Sequence, residues 1–367
     1  MSPRLTSIVT SLPETIPFVG PETLERRLGQ TFRARLGANE SAFGPAPSVI
    51  AAMRSAAACV WQYGDPELYP LRSALAAHIG VPYDNVVVGE GIDGLHGLIA
   101  RLLISPGDVA VTSLGAYPTF NYHVAGYGGR IVAVPYRDDR EDLDALAEAA
   151  VRENAKVVYV SNPDNPMGTW WGAAEIDRFI ARVPETTLVL LDEAYCETAP
   201  ADALPEIDIA RPNLIRTRTF SKAYGLAGMR IGYAIGEATF LRQFDKVRNQ
   251  FGVTRLSQVA AIAALANQTH LRDVVAKVAA GRERIAQIAR DNGLVAIPSA
   301  TNFVAIDCGH DGVFARAVLD ALQTRGVFIR KPMAPGLDRC IRVTVGTPEA
   351  LDVFAEELPR ALAAAAA

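Results

Sequence analysis

Residues 86–94 read VVVGEGIDG, and LHGLIARLL follows at 95–103. Three β-branched residues run into Gly89, Gly91 and Gly94, so a buried strand leads through a glycine turn into a helix. The glycines fall as G-x-G-x-x-G, the spacing of a dinucleotide-binding turn. Such a site also wants an acidic residue about 20 positions on, at the end of the next strand, to hold the ribose hydroxyls. That strand is DVAVTSL at 108–114, and no acid lies at its end. What the stretch keeps is a turn whose backbone N–H groups can meet an anion at a helix N-terminus. A purely structural turn and a nicotinamide-dependent dehydrogenase stand as the alternatives at this point.

Outward from 86–94, short β-rich runs alternate with helical segments. The runs are NVVVG, DVAVTSL, RIVAVPY, KVVYVSNP, TLVLLDEAY, LIRTRTFS and RIGYAIG, between about 85 and 236. Segments such as DLDALAEAAVREN (142–154) and AAEIDRFIARV (173–183) separate them, apolar at helical spacing. Continuous apolar strands are buried on both faces, so the pattern predicts a mainly parallel seven-stranded sheet covered by helices. A helical stretch from 237 to about 290 precedes a mixed segment with TNFVAID, GVFIR and CIRVTVG as strands. The expected class is α/β with a smaller α+β C-terminal domain. The expected division is a Pro-rich irregular arm at 1–35, a large domain at 36–246 whose first residues can join the smaller one, and a small domain at 247–367. The tail ALAAAAA reads as a frayed helix end.

The totals narrow the function classes. Half of the 367 residues are hydrophobic, enough for one large core and a second lobe. A net charge of -4 argues against nucleic acid or an acidic membrane as a general partner. Cys59, Cys196, Cys308 and Cys340 are scattered without a C-x-x-C, as expected of reduced thiols in a cytoplasmic protein. The five histidines form no metal-ligand spacing, and no metal is expected. The start MSPRLTSIVTSLPETIP carries no secretion signal, and no run is apolar enough to span a bilayer.

Three further stretches carry chemistry. In TRTFSKAYGLAGMRIGY (217–233), Lys222 leaves a strand and points into the cleft where ligands bind in such sheets. A lysine there can lose its proton and form a Schiff base, although a solvated charge is the commoner fate. In TLVLLDEAYCE (187–197), Asp192 ends an apolar strand, so its carboxylate needs a partner, and a protonated pyridine nitrogen is one. An ordinary helix N-cap is the plainer use. In YVSNPDNPMG (159–168), Asn165 stands between prolines at a strand exit, suited to donate to a ring hydroxyl.

Together with LGANESAFGPAP (36–47), YGDPELYPLRSALA (63–76), YPTFNY (117–122) and IRVTVGT (341–347), these stretches resemble the fold-type I pyridoxal-phosphate aminotransferases over nearly the whole chain. The nearest likeness is to the histidinol-phosphate aminotransferase family. The resemblance implies pyridoxal 5'-phosphate as cofactor and a homodimer with shared active sites. It implies Lys222 as cofactor anchor and proton shuttle between Cα and C4′, Asp192 as partner of the pyridinium nitrogen, and Asn165 and Tyr195 as donors to the ring O3′. Phe120 would stack on the ring, though a plain core aromatic is its simpler reading. Ile92 and Asp93 by their N–H groups, with Ser221 and Arg230, would cradle the phosphate, and Tyr63 would reach it from the neighbouring subunit. Arg342 matches the substrate-carboxylate arginine, Arg330 a second substrate contact, and Phe18 an aromatic of the arm that closes over the substrate.

Met167 stands where the family pattern has threonine, and Phe18 and Phe120 where tyrosine is common. Lost hydroxyls weaken anion recognition. Histidinol phosphate and an aromatic or other apolar L-amino acid therefore both stand as donors, with 2-oxoglutarate as the 2-oxo acid. The expected activity is ping-pong transamination. A decarboxylase of the threonine-phosphate type shares most of these motifs and is the alternative.

Overall fold

The computed structural model describes residues 3–14 and 18–367. In chain order its strands are β1 (Ala34–Arg35), β2 (Val86–Gly89), β3 (Val109–Ser113), β4 (Arg130–Val134), β5 (Val157–Ser161), β6 (Leu188–Asp192), β7 (Leu214–Thr219), β8 (Gly232–Gly236), β9 (Val295–Ala296), β10 (Phe303–Asp307), β11 (Val327–Phe328) and β12 (Cys340–Thr344). Seven of them form one sheet in the order β2-β8-β7-β6-β5-β3-β4. They are the seven apolar runs of the sequence. Strands β7, β6, β5, β3 and β4 pair in parallel, and β8 runs antiparallel to both β7 and β2.

Burial on both faces explains the continuous apolar runs. In β5, Val158 and Val160 pack with Leu146, Ile176 and Phe179 on one face, while Val157 and Tyr159 pack with Leu95, Ile99 and Phe120 on the other. Successive residues of a strand point to opposite faces, so both sets must be apolar. A third cluster joins Val86, Val88, Ile235 and Phe220 to the helices Pro47–Ala56, Tyr69–Ile79 and Arg255–Leu265. A fourth is built by β10 and β12 with the helices Gln268–Asp291, Gly312–Thr324 and Pro348–Ala365.

Within 247–367, Ala260, Ala261, Ala264 and Leu271 pack into the large-sheet cluster. The helix Gln268–Asp291 touches both clusters, Val275 packing on the large-sheet cluster and Val274 on the other. The segment expected as an irregular arm holds helices Ser7–Ser11 and Pro21–Leu28. The second has Pro21 in its first turn and Gly29 at its end at φ 68°, the asymmetry that helix termini favour. Its sequel Ala34–Arg35 pairs in parallel with β11, and Leu36 enters the cluster around β10 and β12. No helix among the described residues is long and apolar enough to cross a membrane.

The end of β6 is clamped by ions. Glu193 is fully buried and meets Arg216 and Arg218, two residues apart on β7. Arg216 is 1% exposed, donates through Nε to Glu193 Oε1 at 3.0 Å, and through Nη1 to the carbonyls of Pro205 and Glu206 at 2.9 and 2.8 Å. Burial alone would raise the Glu193 carboxyl; Arg218 and Arg216 outweigh it and hold the group below the usual carboxylate range. Removing one partner of a buried ion set strands the other charge. Arg216→Met is expected to cost about 3–5 kcal/mol, measured as a lower denaturant midpoint in equilibrium unfolding. A loss under about 1 kcal/mol would place this triad with ordinary surface ion pairs.

Candidate active site

A cavity of about 430 Å³ opens at the carboxyl ends of the parallel strands. Ser161, Asp192 and Thr219, the last residues of β5, β6 and β7, all line it. This is the crevice where open α/β sheets bind ligands. Of the residues singled out in the sequence, Ile92, Asp93, Asn165 and Tyr195 line it, as do Asp192, Ser221, Lys222 and Arg230.

One end suits an anion. The helix Gly91–Leu103 begins there, and Gly91 turns into it at φ 77°. A Cβ at Gly91 would stand 2.7 Å from Arg230 Nη2, so only glycine lets the guanidinium lie against the helix start. Arg230 is itself left-handed at φ 49°. Its Nη1 reaches Ser221 Oγ at 3.5 Å and its Nη2 lies 3.7 Å from Asp93 Oδ2. Thr219 Oγ1 holds Ser221 Oγ at 2.9 Å. Free N–H groups, a hydroxyl and a guanidinium thus converge, which is what a phosphate monoester requires.

Below that end lie Lys222 and Asp192. Asp192 accepts from Tyr159 OH on Oδ2 and from the Ala194 N–H on Oδ1, both at 2.9 Å. Burial pushes its carboxyl up to about 7, and those two hydrogen bonds only partly oppose it. Lys222 donates from Nζ to the Asn39 carbonyl at 3.2 Å. Burial and the Arg342 charge bring its amine down to about 8. Gly225, three residues on, lies at φ 72°, and a Cβ there would meet the Gly44 carbonyl carbon at 2.4 Å. Glycine is thus required where the lysine loop crosses the 36–47 segment.

Arg342 extends from β12, half-buried and without a carboxylate in salt-bridge range among the described residues. Its Nη1 donates to Asn165 Oδ1 at 2.6 Å, its Nη2 to the Gly37 carbonyl at 3.2 Å, and its Nε has no partner. Desolvation lowers even this guanidinium, to about 10. Arg330 bridges to Arg342 through the backbone, and its Nη2 donates to the Val19 carbonyl at 2.6 Å. It therefore ties down the arm. Phe18 lies 6.1 Å from the Tyr117 ring at the cavity wall.

One expected ring contact stands elsewhere. Phe120 is fully buried, stacked on Tyr159 at 5.3 Å and 15°, in the cluster under the sheet. It does not reach the cavity; Tyr117 does, with its OH 3.5 Å from Asp93 Oδ2. Tyr117 precedes the helix Thr119–Gly126, whereas Phe120 sits in that helix's first turn and turns toward the sheet. Tyr63 is 75% exposed, packs on Phe251 and does not line this chain's cavity. Asn39 lies in the LGANESAFGPAP stretch. Its side chain donates to Tyr195 OH at 3.0 Å, and its carbonyl receives Lys222 and Asn302. Its φ of 55° is a conformation asparagine tolerates, a signal that a sequence shows only as one Asn in a loop.

The lysine gives a test that needs no ligand. A protonated amine does not react with acylating reagents and a neutral one does. Labelling of Lys222 in the cofactor-free protein is expected to rise through about pH 8, well below the usual lysine value of about 10.4. Peptide mapping after brief labelling at stepped pH reads it; a midpoint near 10 would deny the desolvated environment.

Comparison with known proteins agrees with this geometry. The model of the family "aminotransferase class I and II" matches residues 34–358. The histidinol-phosphate aminotransferase of Moorella thermoacetica is 34% identical over 98% of this chain and 94% of its own length. Histidinol-phosphate aminotransferase 2 of Carboxydothermus hydrogenoformans is 38% identical over 95% and 96%. The crystal structure of histidinol-phosphate aminotransferase from Sinorhizobium meliloti in complex with pyridoxal-5'-phosphate superposes with a TM-score of 0.97 at 55% identity, covering 99% of this chain and 98% of that one. A nicotinamide reading of 86–94 has no support beside these. The chain belongs to the aminotransferase class I and II family and is a pyridoxal-phosphate-dependent aminotransferase.

Proposed function

We propose that this enzyme transfers an amino group from histidinol phosphate to 2-oxoglutarate, as a cytoplasmic homodimer. The observation that carries the donor is the adjacent pair Arg342 and Arg330, neither with a carboxylate in salt-bridge range among the described residues. A phosphate dianion on the donor and the carboxylates of the acceptor both satisfy two guanidiniums. An aromatic amino acid offers one carboxylate and leaves the second arginine idle. The names of the relatives at 34–38% identity point the same way.

The residues present fit pyridoxal phosphate. No lysine or arginine lies in salt-bridge range of the buried Asp192 carboxylate among the described residues, the Lys222 amine lines the same cavity, and the anion cradle closes the far end. When bound, the cofactor supplies an electron sink that makes the donor's α-proton acidic. Ile92 N–H, Asp93 N–H, Ser221 and Arg230 would hold its phosphate. Asp192 would pair with the ring nitrogen, Tyr195 and Asn165 would serve the ring hydroxyl, and Tyr117, in place of Phe120, would pack on the ring. Lys222 would anchor the cofactor and move the proton at the donor's Cα. Arg342 orients the substrate anion, and Phe18 with Tyr117 excludes water from the mouth.

A second copy completes the site in this reading. Val60, Trp61, Tyr63, Tyr69 and Phe251 leave large apolar side chains at least 49% exposed, concentrated in 60–69 and at 251. Such a patch fits a twofold interface, from which Tyr63 would reach the other copy's phosphate. The two lobes of each copy divide within the helix Gln268–Asp291, with Ala34–Leu36 in the smaller.

Glutamate formation from 2-oxoglutarate by the purified holoenzyme tests the donor. Histidinol phosphate is expected to exceed phenylalanine and tyrosine at least about ten-fold in kcat/KM, one charged contact's worth. An aromatic acid at equal or higher kcat/KM would replace it as donor. In the same assay Lys222→Ala is expected to give no turnover above background.

Asp192→Asn is expected to fold and bind cofactor but lose at least about a hundred-fold in kcat, since a neutral amide cannot hold a pyridinium. Unchanged turnover with unchanged cofactor absorbance would remove Asp192 from the role.

A further inference from the structure

His96 lies in the helix Gly91–Leu103, fully buried and outside the cavity lining, and neither ring nitrogen has a hydrogen-bond partner among the described residues. The ring stands edge-on to Phe120 and Tyr159, with centroids 5.8 and 5.4 Å away and planes at 81° and 84°. Its Nε2 lies 3.9 Å from Asp192 Oδ2, the oxygen that already accepts Tyr159 OH at 2.9 Å. A leucine or phenylalanine would fill this space without two idle polar atoms, and buried polar atoms without partners are rare and costly. Burial, with a smaller contribution from His123, keeps the ring neutral by pushing it down to about 3. A neutral imidazole has one N–H to give.

We infer that His96 is a positioning residue for the reaction: its Nε2–H closes onto Asp192 Oδ2 when a cation on the cavity side ionises that carboxylate. A movement of about 1 Å brings the pair to hydrogen-bond distance. Tyr159 and His96 then hold Oδ2 from within the core, the Ala194 N–H holds Oδ1, and the carboxylate is left one orientation toward the cavity. The stacking of Phe120 on Tyr159 fixes both donors. Phe120, displaced from the ring-stacking role, thereby supports the carboxylate from behind. The inference rests on the reading of Asp192 as partner of the pyridinium nitrogen.

Three variants of the holoenzyme and one spectrum test it. His96→Phe keeps an aromatic ring and removes the N–H; it is expected to lose about ten-fold in kcat, the worth of one hydrogen bond to a charge, with the donor KM within about two-fold. His96→Gln places an amide N–H near the same point and is expected to recover most of that loss. In ¹⁵N spectra of the wild-type protein, the His96 ring is expected to be the Nε2–H tautomer, with its Nε2 signal moving on addition of pyridoxal phosphate and not of inorganic phosphate. Wild-type kcat in His96→Phe, an equal loss in the phenylalanine and glutamine variants, or an Nδ1–H ring indifferent to cofactor would each overturn the inference. If His96→Phe does not fold, the spectrum and the glutamine variant decide. Asp192→Asn separates the two levels: full activity there sinks the underlying reading, whereas a crippled Asp192→Asn beside a silent His96→Phe sinks only this inference.

Discussion

The site is organised around a carboxylate that is almost wholly buried at the edge of a cavity. Asp192 ends a five-residue strand buried throughout, and desolvation dominates its chemistry. A lone charge there is unfavourable, so the fold supplies donors from within and leaves the cavity side for a cation. The neighbouring Glu193 solves the same problem differently, with two arginines already in the chain. One acid is thus neutralised by the protein and fixes the strand end. The other, in the proposed reading, is left for the cofactor. Asp192 ends β6 and lines the cavity, while Glu193, the next residue, turns to the arginines of β7, which keeps the two arrangements apart.

Around that carboxylate, groups from distant parts of the sequence converge. Asn39 carries Lys222 on its carbonyl and Tyr195 on its amide, while Thr344 holds its side chain from β12. The 36–47 segment therefore links the lysine loop to the strand that bears Arg342. After desolvation, the Arg342 charge lowers the proton affinity of Lys222, and the Arg330 charge lowers that of Arg342. Anions such as the proposed substrates would relieve that repulsion.

What the sequence revealed follows from what burial imposes on it. Most of the seven strands were legible because both their faces are covered, which favours an apolar run; β4, at the sheet edge, is only partly covered, and β7 keeps Arg216 and Arg218 inside its run. The direction of β8 was not, since apolar content does not encode parallel or antiparallel pairing. The helix Arg255–Leu265 was legible as a helix but not as part of the large-sheet core, because periodicity marks a buried face without naming its partner. In the site, Lys222, Asp192 and Arg342 announced themselves as charges inside or beside apolar strands. Tyr117 and Phe120 are both aromatic and three residues apart; only the turn into the helix Thr119–Gly126 decides which one meets the cavity. His96 gave no signal, since a histidine on an apolar helix face reads as filling until its distance to Asp192 is known.

The helix Gln268–Asp291 bears on how the molecule comes apart. Its 24 residues form one continuous ladder of backbone hydrogen bonds. Leu271 and Val275 belong to one core, while Val274, Val278, Ile285 and Ile288 belong to the other. Helices owe most of their stability to the packing of a face against a core. Loss of either core strips part of that support from a rod the other core needs. The two cores therefore share one support, and loosening either is expected to weaken the other.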